Sequence, residues 1–411
     1  MDMPAPDWKP TRAAGLSRLA AFAPAMGSAY ARQRNYDRGP GRHEGVSCLS
    51  PWVRRRLVTE RELVEAALAR HAPSTAEKFV QEVFWRTYFK GWMEGRPSVW
   101  ADYMGGLADD LDASEADPRL GDAIAAAEAG ETGLDCVDAW TRELVETGYL
   151  HNHARMWFAS IWVFTLGLPW RVGADFFLRH LLDGDPASNT LGWRWVAGLH
   201  TRGKAYAARA SNIAKFTEGR FRPDAWSLAE PVPLEEPDPL PPARPPRLPL
   251  APEPGRPSVL LIHADDARHE DLIPDPAGAA ATGTLAATEG RSPRPVAEPV
   301  AAFDRGALAD AAARMAEAGA PPAEPLDPAT PESLADWAAR HGATQIVTPF
   351  VPVGPVRDLL DRAVPALDRA GIRLAELRRD WDSLTWPHAT AGFFKVKKQI
   401  PRLLRELGVT G

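Results

Sequence analysis

The densest group of residues able to do chemistry lies in one short segment of the chain. Asp183 and Asp185 flank a glycine, Asn189 follows, and Trp193 and Trp195 complete the segment. Acids, an amide and two indoles this close together suit either a site for a polar aromatic ligand or a paired polar network inside a helical core. Spacing alone leaves both interpretations open. No oxygen-rich loop of calcium-binding type surrounds the two acids, so we expect no metal site.

A second segment precedes the first and supplies a natural partner for it. Asn152, Arg155 and Met156 are spaced three and four residues apart, so they share one face of a helix. The run from His151 to Leu182 is apolar nearly all round, which predicts helices buried at the centre of a large domain. Because an unpaired buried charge is costly, we expect Arg155 to pair with Asp183.

A third segment places a carboxylate beside an indole. Glu82, Trp85 and Arg86 occupy one helix face. A carboxylate next to a tryptophan on an otherwise apolar helix indicates a binding site, and the alternative is an internal Glu82–Arg86 ion pair.

A fourth segment, Ser47 to Trp52, predicts the start of a helix. Ser50 is a favourable N-cap and Pro51 a favourable first helical residue. The free N–H groups and the hydroxyls of Ser47 and Ser50 could bind an anion, although a plain capped helix is the favoured interpretation of this segment taken alone.

These residues must be positioned by a chain that changes character twice. Residues 12 to about 220 have helical periodicity, with breaks expected at Pro24 and at Leu168-Pro169. Residues 223 to 257 contain 13 prolines and predict an extended tether. The remainder alternates strand-like and helix-like segments, which predicts a small α/β unit with a parallel sheet. The expected elements are strands at 258–263, 344–351 and 372–377, helices at 304–318, 331–341 and 355–370, and a mobile loop at 274–300.

Composition limits the setting of the protein. The net charge of −6 gives no global attraction to nucleic acid, so a DNA-binding face would be a local basic patch. The candidates are Arg54 to Arg56, Arg194 with Arg202, and Lys395 with Lys397 and Lys398. The sequence has no apolar stretch of membrane-spanning length, and we predict no membrane association. Only two cysteines occur, which favours a reducing, cytoplasmic location.

The four segments, in this order and spacing, resemble the flavin-binding domain of the photolyase/cryptochrome family. The resemblance covers roughly residues 12 to 221. It departs from the family at Val46, where a threonine is frequent, and at Phe79, where tryptophan or a polar residue is common. The matching strings are Tyr30 with Arg34 and Asn35, Ser47 to Pro51, the Glu82–Arg86 helix, Thr132-Gly133 with Asp138, Leu150 to Met156, and Asp183 to Trp195.

The resemblance implies a role for each matching residue. The residues implied to bind FAD are Tyr30, Ser47, Leu49, Ser50, Arg86, Asn152, Arg155, Asp183, Asp185 and Asn189. Asn189 would lie beside the flavin N5, and Trp52 would close one end of the site. Contact with a flipped-out pyrimidine dimer falls to Glu82, Trp85, Met156 and Trp195. Trp193 and Trp170 would be the inner members of an electron-transfer chain. The place of its outermost tryptophan falls on Ala127, and Trp140, Trp157 and Trp162 are the open substitutes.

The implied fold is a large all-α FAD-binding domain (1–221), a Pro-rich linker (222–257) and a small α/β domain with a Rossmann-like parallel sheet (258–411). The implied activity is light-driven repair of cyclobutane pyrimidine dimers in UV-damaged DNA, and the alternative is a cryptochrome-type blue-light receptor. We expect a monomer. The sequence leaves open whether the protein binds a second, antenna chromophore. In most relatives the α/β domain comes first, so its place after the tether predicts a circular permutation. The alternative is an unrelated α/β appendage.

Overall fold

The computed structural model describes residues 7–237, 239–327 and 330–409, and within them a helical domain, an extended connection and an α/β domain follow one another. The helices of the first domain are α1 (Arg12–Phe22), α2 (Ser28–Gln33), α3 (Ser50–Arg54), α4 (Glu60–Leu68), α5 (Pro73–Glu94), α6 (Ser98–Ala116), α7 (Pro118–Ala129), α8 (Asp135–Thr147), α9 (Asn152–Ser160), α10 (Trp170–His180), α11 (Pro186–Val196) and α12 (Ala210–Phe216). After the connection come β1 (Ser258–His263), β2 (Thr282–Leu285), α13 (Glu298–Glu317), β3 (Ala323–Pro325), α14 (Ser333–Arg340), β4 (Gln345–Pro349), α15 (Pro355–Arg369), β5 (Arg373–Leu377), α16 (Asp380–Thr385) and α17 (Phe394–Glu406).

Local sequence signals set several of the helix ends. Thr59 and Glu62 form a capping box at the start of α4, in which each side chain accepts a hydrogen bond from the backbone N–H of the other. The breaks predicted at Pro24 and Pro169 are confirmed, since α1 ends at Phe22 and α10 begins at Trp170. Between α9 and Pro169 the helix continues as one π-helical stretch, Ile161–Thr165.

The sheet is parallel throughout and has helices on both faces. Its strand order is β3-β2-β1-β4-β5, which confirms the predicted α/β class. Along β1, Leu260 and Ile262 belong to a core shared with the helical domain and α13, whereas Val259 and Leu261 belong to a second core with α14 and α15. The helical domain therefore covers one face of the sheet.

The expectation of a mobile loop at 274–300 is wrong. This stretch contains β2 and the first turn of α13. The strand Thr282–Leu285 is only four residues long and includes a glycine, so its sequence carries too little alternation to signal a strand.

Three consecutive arginines that looked like a DNA-binding patch are instead buried between the two domains. Arg54, Arg55 and Arg56 are each at most 5% exposed. Each pairs with an acid that comes much later in the chain, so the expectation of a solvent-facing basic patch here is wrong. The pairs are Arg54 with Asp265 at 2.5 Å, Arg55 with Asp304 at 2.5 Å, and Arg56 with Asp382 at 2.7 Å and Asp266 at 3.2 Å.

The second predicted basic patch, Arg194 with Arg202, is also wrong for Arg194. Arg194 is 4% exposed and makes a two-point ion pair with Glu236 of the connection. The connection itself has no regular helix or strand in its described residues, apart from a 3-10 turn at Ala225–Ser227 and a turn at 253–256, as its prolines predict. It crosses the helical domain through backbone bonds from Leu234 to Ala197 and from Arg244 to Gly95, both 2.9 Å.

The last two helices pack on the helical domain and not on the sheet. The Trp381 ring of α16 lies 4.7 Å from that of Phe84, and its indole N–H donates to Thr87 at 2.8 Å. Just after α16, Trp386 packs on Gly91, where a Cβ would lie 2.6 Å from the indole. The C-terminal segment thus returns to the long helix α5.

Breaking one interdomain ion pair should destabilise the whole chain. Arg54→Met would leave Asp265 buried and unpaired, so we expect the free energy of unfolding to fall by about 3–5 kcal/mol in urea titrations. The control is Arg61→Met, which removes the exposed Arg61–Glu65 pair and should cost about 0–1 kcal/mol. Equal losses in the two variants would contradict the assignment, whereas Arg54→Met combined with Asp265→Leu should recover part of the loss.

Candidate functional site

Helix α5 presents one partly exposed stripe in otherwise buried surroundings. Glu82, Trp85, Arg86 and Phe89 are partly exposed, while the residues between them are buried. Their spacing of three and four residues places them on one face, as predicted. The alternative of a Glu82–Arg86 ion pair is wrong, because Glu82 pairs with Arg34.

Helices α9 and α11 present matching stripes. On α9, Asn152 is exposed and Arg155 and Met156 are partly exposed, whereas Trp157 and Phe158 are buried. On α11 the partly exposed residues are Ser188, Asn189, Gly192 and Trp195, again at helical spacing. Each of the three helices therefore leaves one polar and aromatic face partly exposed.

The stripes meet at the turn between α10 and α11. From α9, Arg155 donates to Asp183 at 2.9 Å, which confirms the predicted pair. From α5, Arg86 donates to Asp185 at 3.1 Å, and the Lys90 ammonium lies 3.7 Å from the same carboxylate. The three helices thus converge on one acidic turn, and we call the surface framed by their stripes and this turn the cleft.

The charges around this turn are balanced by its neighbours. Burial opposes ionisation of Asp185, but the positive charges of Arg86, Lys90 and Arg54 outweigh it and hold the pKa of that carboxyl below its usual value. Glu82 behaves in the opposite way. Burial raises its pKa, and the nearby Arg34 only partly offsets the rise. The pKa values of the two acids at the cleft are therefore shifted in opposite directions, down for Asp185 and up for Glu82.

The turn is also tied to the interdomain arginines. The carbonyl oxygen of Gly184 accepts from Arg54 at 2.8 Å, and that of Leu182 accepts from Arg55 at 2.5 Å. The same guanidinium groups that bind the α/β domain therefore fix the backbone on both sides of Asp183.

The segment from Ser47 to Ser50 lies beside Arg155 and Asp183. Cys48 contacts Tyr149, whose ring centre is 5.5 Å from the Arg155 guanidinium carbon. The backbone of Cys48 has a φ of 54°, a left-handed conformation that is uncommon for cysteine. Helix α3 begins at Ser50 with Leu49 as its cap, so the predicted N-cap is displaced by one residue.

Two other predicted cofactor residues, Tyr30 and Asn189, lie at these stripes. Tyr30 is 9% exposed and packs edge-on against Phe79 of α5 at 5.2 Å, in electrostatic contact with Glu82. The Asn189 amide nitrogen donates to the Ala174 carbonyl at 2.8 Å, which leaves its oxygen as an acceptor. Trp52 is buried against Trp8 and Phe303, and its indole N–H donates to the backbone carbonyl oxygen of Lys9 at 2.9 Å.

The tryptophans form separate groups. Trp193 contacts Trp162 at 6.3 Å, and a Cβ at Gly173 of α10 would touch both. The ring centre of Trp170 lies 5.9 Å from that of Tyr103, which in turn lies 5.4 Å from that of Trp100. Within the described residues, no ring contact joins Trp170 to Trp193. A third group pairs Trp157 with Trp140 at 5.6 Å. The Trp170–Tyr103–Trp100 group was not anticipated, although the spacing of Trp100 and Tyr103 on one helix face could have signalled it.

One contact at the cleft had no sequence signal. Phe393, immediately before α17, stacks flat on Trp85 with ring centres 4.0 Å apart and planes 15° apart. A residue more than 300 positions away thus covers one face of the indole.

Two other places could in principle hold a second ligand: the crevice at the sheet edge and a separate cavity. The crevice at the carboxyl ends of β1 and β4, where doubly wound sheets bind ligands, is occupied by Arg54, which bonds Asp265 and the Ala264 carbonyl. A cavity of about 550 Å³ lies elsewhere, between the N-terminal segment, the helical domain and α13. Trp8, His43, Tyr149 and Phe303 are among its lining residues.

Comparisons with known proteins point to one family. Residues 79–225 match the family described as the FAD binding domain of DNA photolyase. A deoxyribodipyrimidine photo-lyase of Streptomyces griseus is 34% identical over 218 residues, which are 48% of this chain and 46% of that protein. A photo-lyase of Thermus thermophilus is 36% identical over 211 residues, covering 48% of this chain and 44% of the relative. The chain therefore spans less than half the length of these relatives.

Solved structures with similar parts include two bacterial proteins. A class III photolyase from Agrobacterium tumefaciens is 27% identical with a TM-score of 0.42, covering 52% of this chain and 45% of the other. A cryptochrome from Synechocystis is 25% identical with a TM-score of 0.41, covering 51% and 43%.

The polar groups at the cleft suit a flavin ring. Among the described residues that line it, two buried atoms have neither a hydrogen-bond nor an ion-pair partner: the second carboxylate oxygen of Asp183 and the hydroxyl of Ser188. Buried polar atoms are rarely left unpaired. Together they offer an acceptor and a hydroxyl that can act as donor or acceptor, and the pyrimidine edge of a flavin carries both donors and acceptors. The residues present therefore fit the implied FAD.

The Arg155–Asp183 pair should be strongly coupled in stability. Arg155→Met would strip a 7%-exposed carboxylate of its partner, so we expect a loss of about 3 kcal/mol in the free energy of unfolding. Asp183→Asn in the same chain should recover part of this loss, because the charge left unpaired is then gone. Urea unfolding of both singles and the double variant measures the coupling. Simple additivity would contradict the pairing.

Proposed function

Because the helical part of this chain belongs to the photolyase/cryptochrome family, we propose that the protein binds FAD and uses light to repair cyclobutane pyrimidine dimers in DNA. The observation that carries the proposal is the convergence of α5, α9 and α11 on one cleft. Asp183, Arg155 and Asn189 supply polar groups for the flavin, and Glu82 with Trp85 lines the same cleft from α5.

FAD, when bound and reduced, would supply the light-driven one-electron chemistry by which the dimer's ring is split. The protein contributes position and electrostatics. Asn189 is anchored to Ala174, and its free carbonyl oxygen accepts a hydrogen bond without carrying charge. The Arg155–Asp183 pair holds the carboxylate at the base of the cleft.

To reach the cleft, the dimer would have to leave the DNA duplex, as target bases do in other base-flipping enzymes. Trp195 and the face of Trp85 that Phe393 leaves uncovered offer stacking surfaces, each worth roughly 1–3 kcal/mol per base. Glu82, held by its ion pair with Arg34, places a polar group on the same stripe as Trp85, where it would meet the polar edge of the dimer. Met156 lines the same stripe as Arg155 and completes the predicted contact set.

Electron supply to the flavin is proposed to pass through Trp193. Its contact with Trp162 makes that residue the next member, while Trp170, Tyr103 and Trp100 form a separate buried route. Trp157 with Trp140 is a third group, located between α9 and α8.

A photoreceptor without repair activity is the second candidate. The observation that favours it is the stacking of Phe393 on Trp85, which occupies a surface that a lesion would otherwise use. The repair experiment below decides between the two.

Several further properties belong to the same proposal. None of the helices in the described part of the chain combines the length and apolarity that a bilayer crossing needs. Cys48 and Cys136 are buried and unbridged, in keeping with a cytoplasmic location, and we propose that the protein acts as a monomer on UV-damaged DNA. The cavity beside Trp8 is where we would place a second chromophore.

We also propose that the α/β domain is a permuted counterpart of the family's leading domain. Its parallel order β3-β2-β1-β4-β5 and its position after the proline-rich tether support this. An experimental structure superposed on a relative's helical domain tests it, since a sheet docked on a different face would refute the permutation.

The repair proposal predicts light-dependent loss of dimers. Purified, reduced protein with DNA carrying a single thymine dimer should restore the intact thymines under blue light and not in the dark. Reversal is measured by chromatography of the digested DNA. A flavin-loaded preparation that leaves all dimers intact would retire the repair function in favour of the photoreceptor.

Replacing Trp193 should separate photoreduction from repair. We expect Trp193→Phe to slow light-driven reduction of oxidised flavin at least tenfold, while pre-reduced enzyme repairs at the wild-type rate. Trp140→Phe, in the third tryptophan group, is the matched control. Flavin absorption under illumination measures both, and identical photoreduction in wild type and Trp193→Phe would rule out this route.

A further inference from the structure

The turn before α17 is fixed to the lesion side of the cleft. Phe393 is 4% exposed, stacks on Trp85 and lies 5.7 Å from the Tyr88 ring. Val396, Ile400 and Leu403 bury the apolar face of α17 in the helical-domain core. The start of this helix is therefore held against α5 by packing on two sides.

The next residue faces solvent. Phe394 is 72% exposed, and among the described residues it is the one large aromatic that is exposed outside the proline-rich connection. Trp226, the other strongly exposed aromatic, lies within that connection. Because Phe394 opens a helix whose other face is buried, its ring is held in place and open to a partner.

Positive charge surrounds this ring. Lys395 and Lys398 are exposed, and Lys397 lies 6.0 Å over the Phe394 ring and 3.6 Å from Glu77 of α5. Arg54 to Arg56 and Arg194, by contrast, are buried in ion pairs. In a chain of net charge −6, this lysine group remains accessible for a polyanion at the edge of the cleft.

We propose that Phe394, Lys395 and Lys398 form a DNA-contacting element, in which the Phe394 ring stacks on a base beside the lesion and the two lysines bind backbone phosphates. The element rests on the proposed function, because it presents these groups next to Trp85 and Glu82. An aromatic ring accepts any base, and lysines bind phosphate irrespective of sequence, so the element adds affinity for opened DNA and not base preference. Charge and stacking together favour DNA over a protein partner.

The test is binding of the flavin-loaded protein, in the dark, to duplexes with and without one thymine dimer, followed by fluorescence anisotropy at several salt concentrations. Phe394→Ala should weaken binding of the lesion duplex about tenfold. Lys395→Gln with Lys398→Gln should weaken both duplexes and make the salt dependence shallower by about two in the log–log slope. Trp226→Ala and Arg402→Gln are matched controls, an exposed aromatic and a basic residue farther along α17, and both should bind as wild type.

Thermal midpoints and flavin content establish that the variants are folded. If wild type binds and repairs the lesion duplex and the Phe394 and lysine variants do the same within about twofold, this element is refuted while the proposed function stands. If flavin-loaded wild type neither prefers nor repairs the lesion duplex, the proposed function and the element both fail.

Discussion

Three consecutive buried guanidinium groups hold the two halves of this protein and its cleft in one arrangement. Arg54 and Arg55 donate to the backbone on either side of Asp183 and, through the same side chains, to Asp265 and Asp304 of the α/β domain. Burial opposes the ionisation of Asp304, yet Arg291 and Arg55 outweigh it and hold the pKa of that carboxyl at about 2. Because breaking a buried ion pair is costly, and the same side chains hold the turn, the domain contact and the turn geometry depend on each other.

This dependence explains why the α/β domain sits where it does. Arg54 fills the crevice at the carboxyl ends of β1 and β4, the position where comparable sheets take a ligand. The sheet thereby acts as a support for the acidic turn. The C-terminal segment then returns to α5, where Trp381 and Phe393 pack on the reverse side and the edge of the helix that carries Glu82 and Trp85.

Local signals in the sequence predicted much of the fold. The strand Ser258–His263, the break at Pro169 and the shared face of Glu82, Trp85 and Arg86 follow from periodicity and from proline chemistry, which act over a few residues. The Arg155–Asp183 pair followed from the cost of an unpaired buried charge.

The errors have two physical origins, long-range pairing and short elements. A run of three arginines looks the same in the sequence whether it faces solvent or acids more than 200 residues away. The sequence therefore could not show that Arg54 to Arg56 are buried. Glu82 pairs with Arg34, and Phe393 covers one face of Trp85. No spacing rule links residues this far apart in the chain. The short strand β2 was missed because four residues cannot show a period.

The central claim is that the cleft between α5, α9 and α11 holds one isoalloxazine ring. Titration of the folded protein with FAD, followed by flavin fluorescence and by the flavin absorption of the dialysed complex, tests it most directly. The account predicts one tightly held FAD per chain with quenched fluorescence. A protein that shows full helical circular dichroism and yet retains no flavin would contradict it.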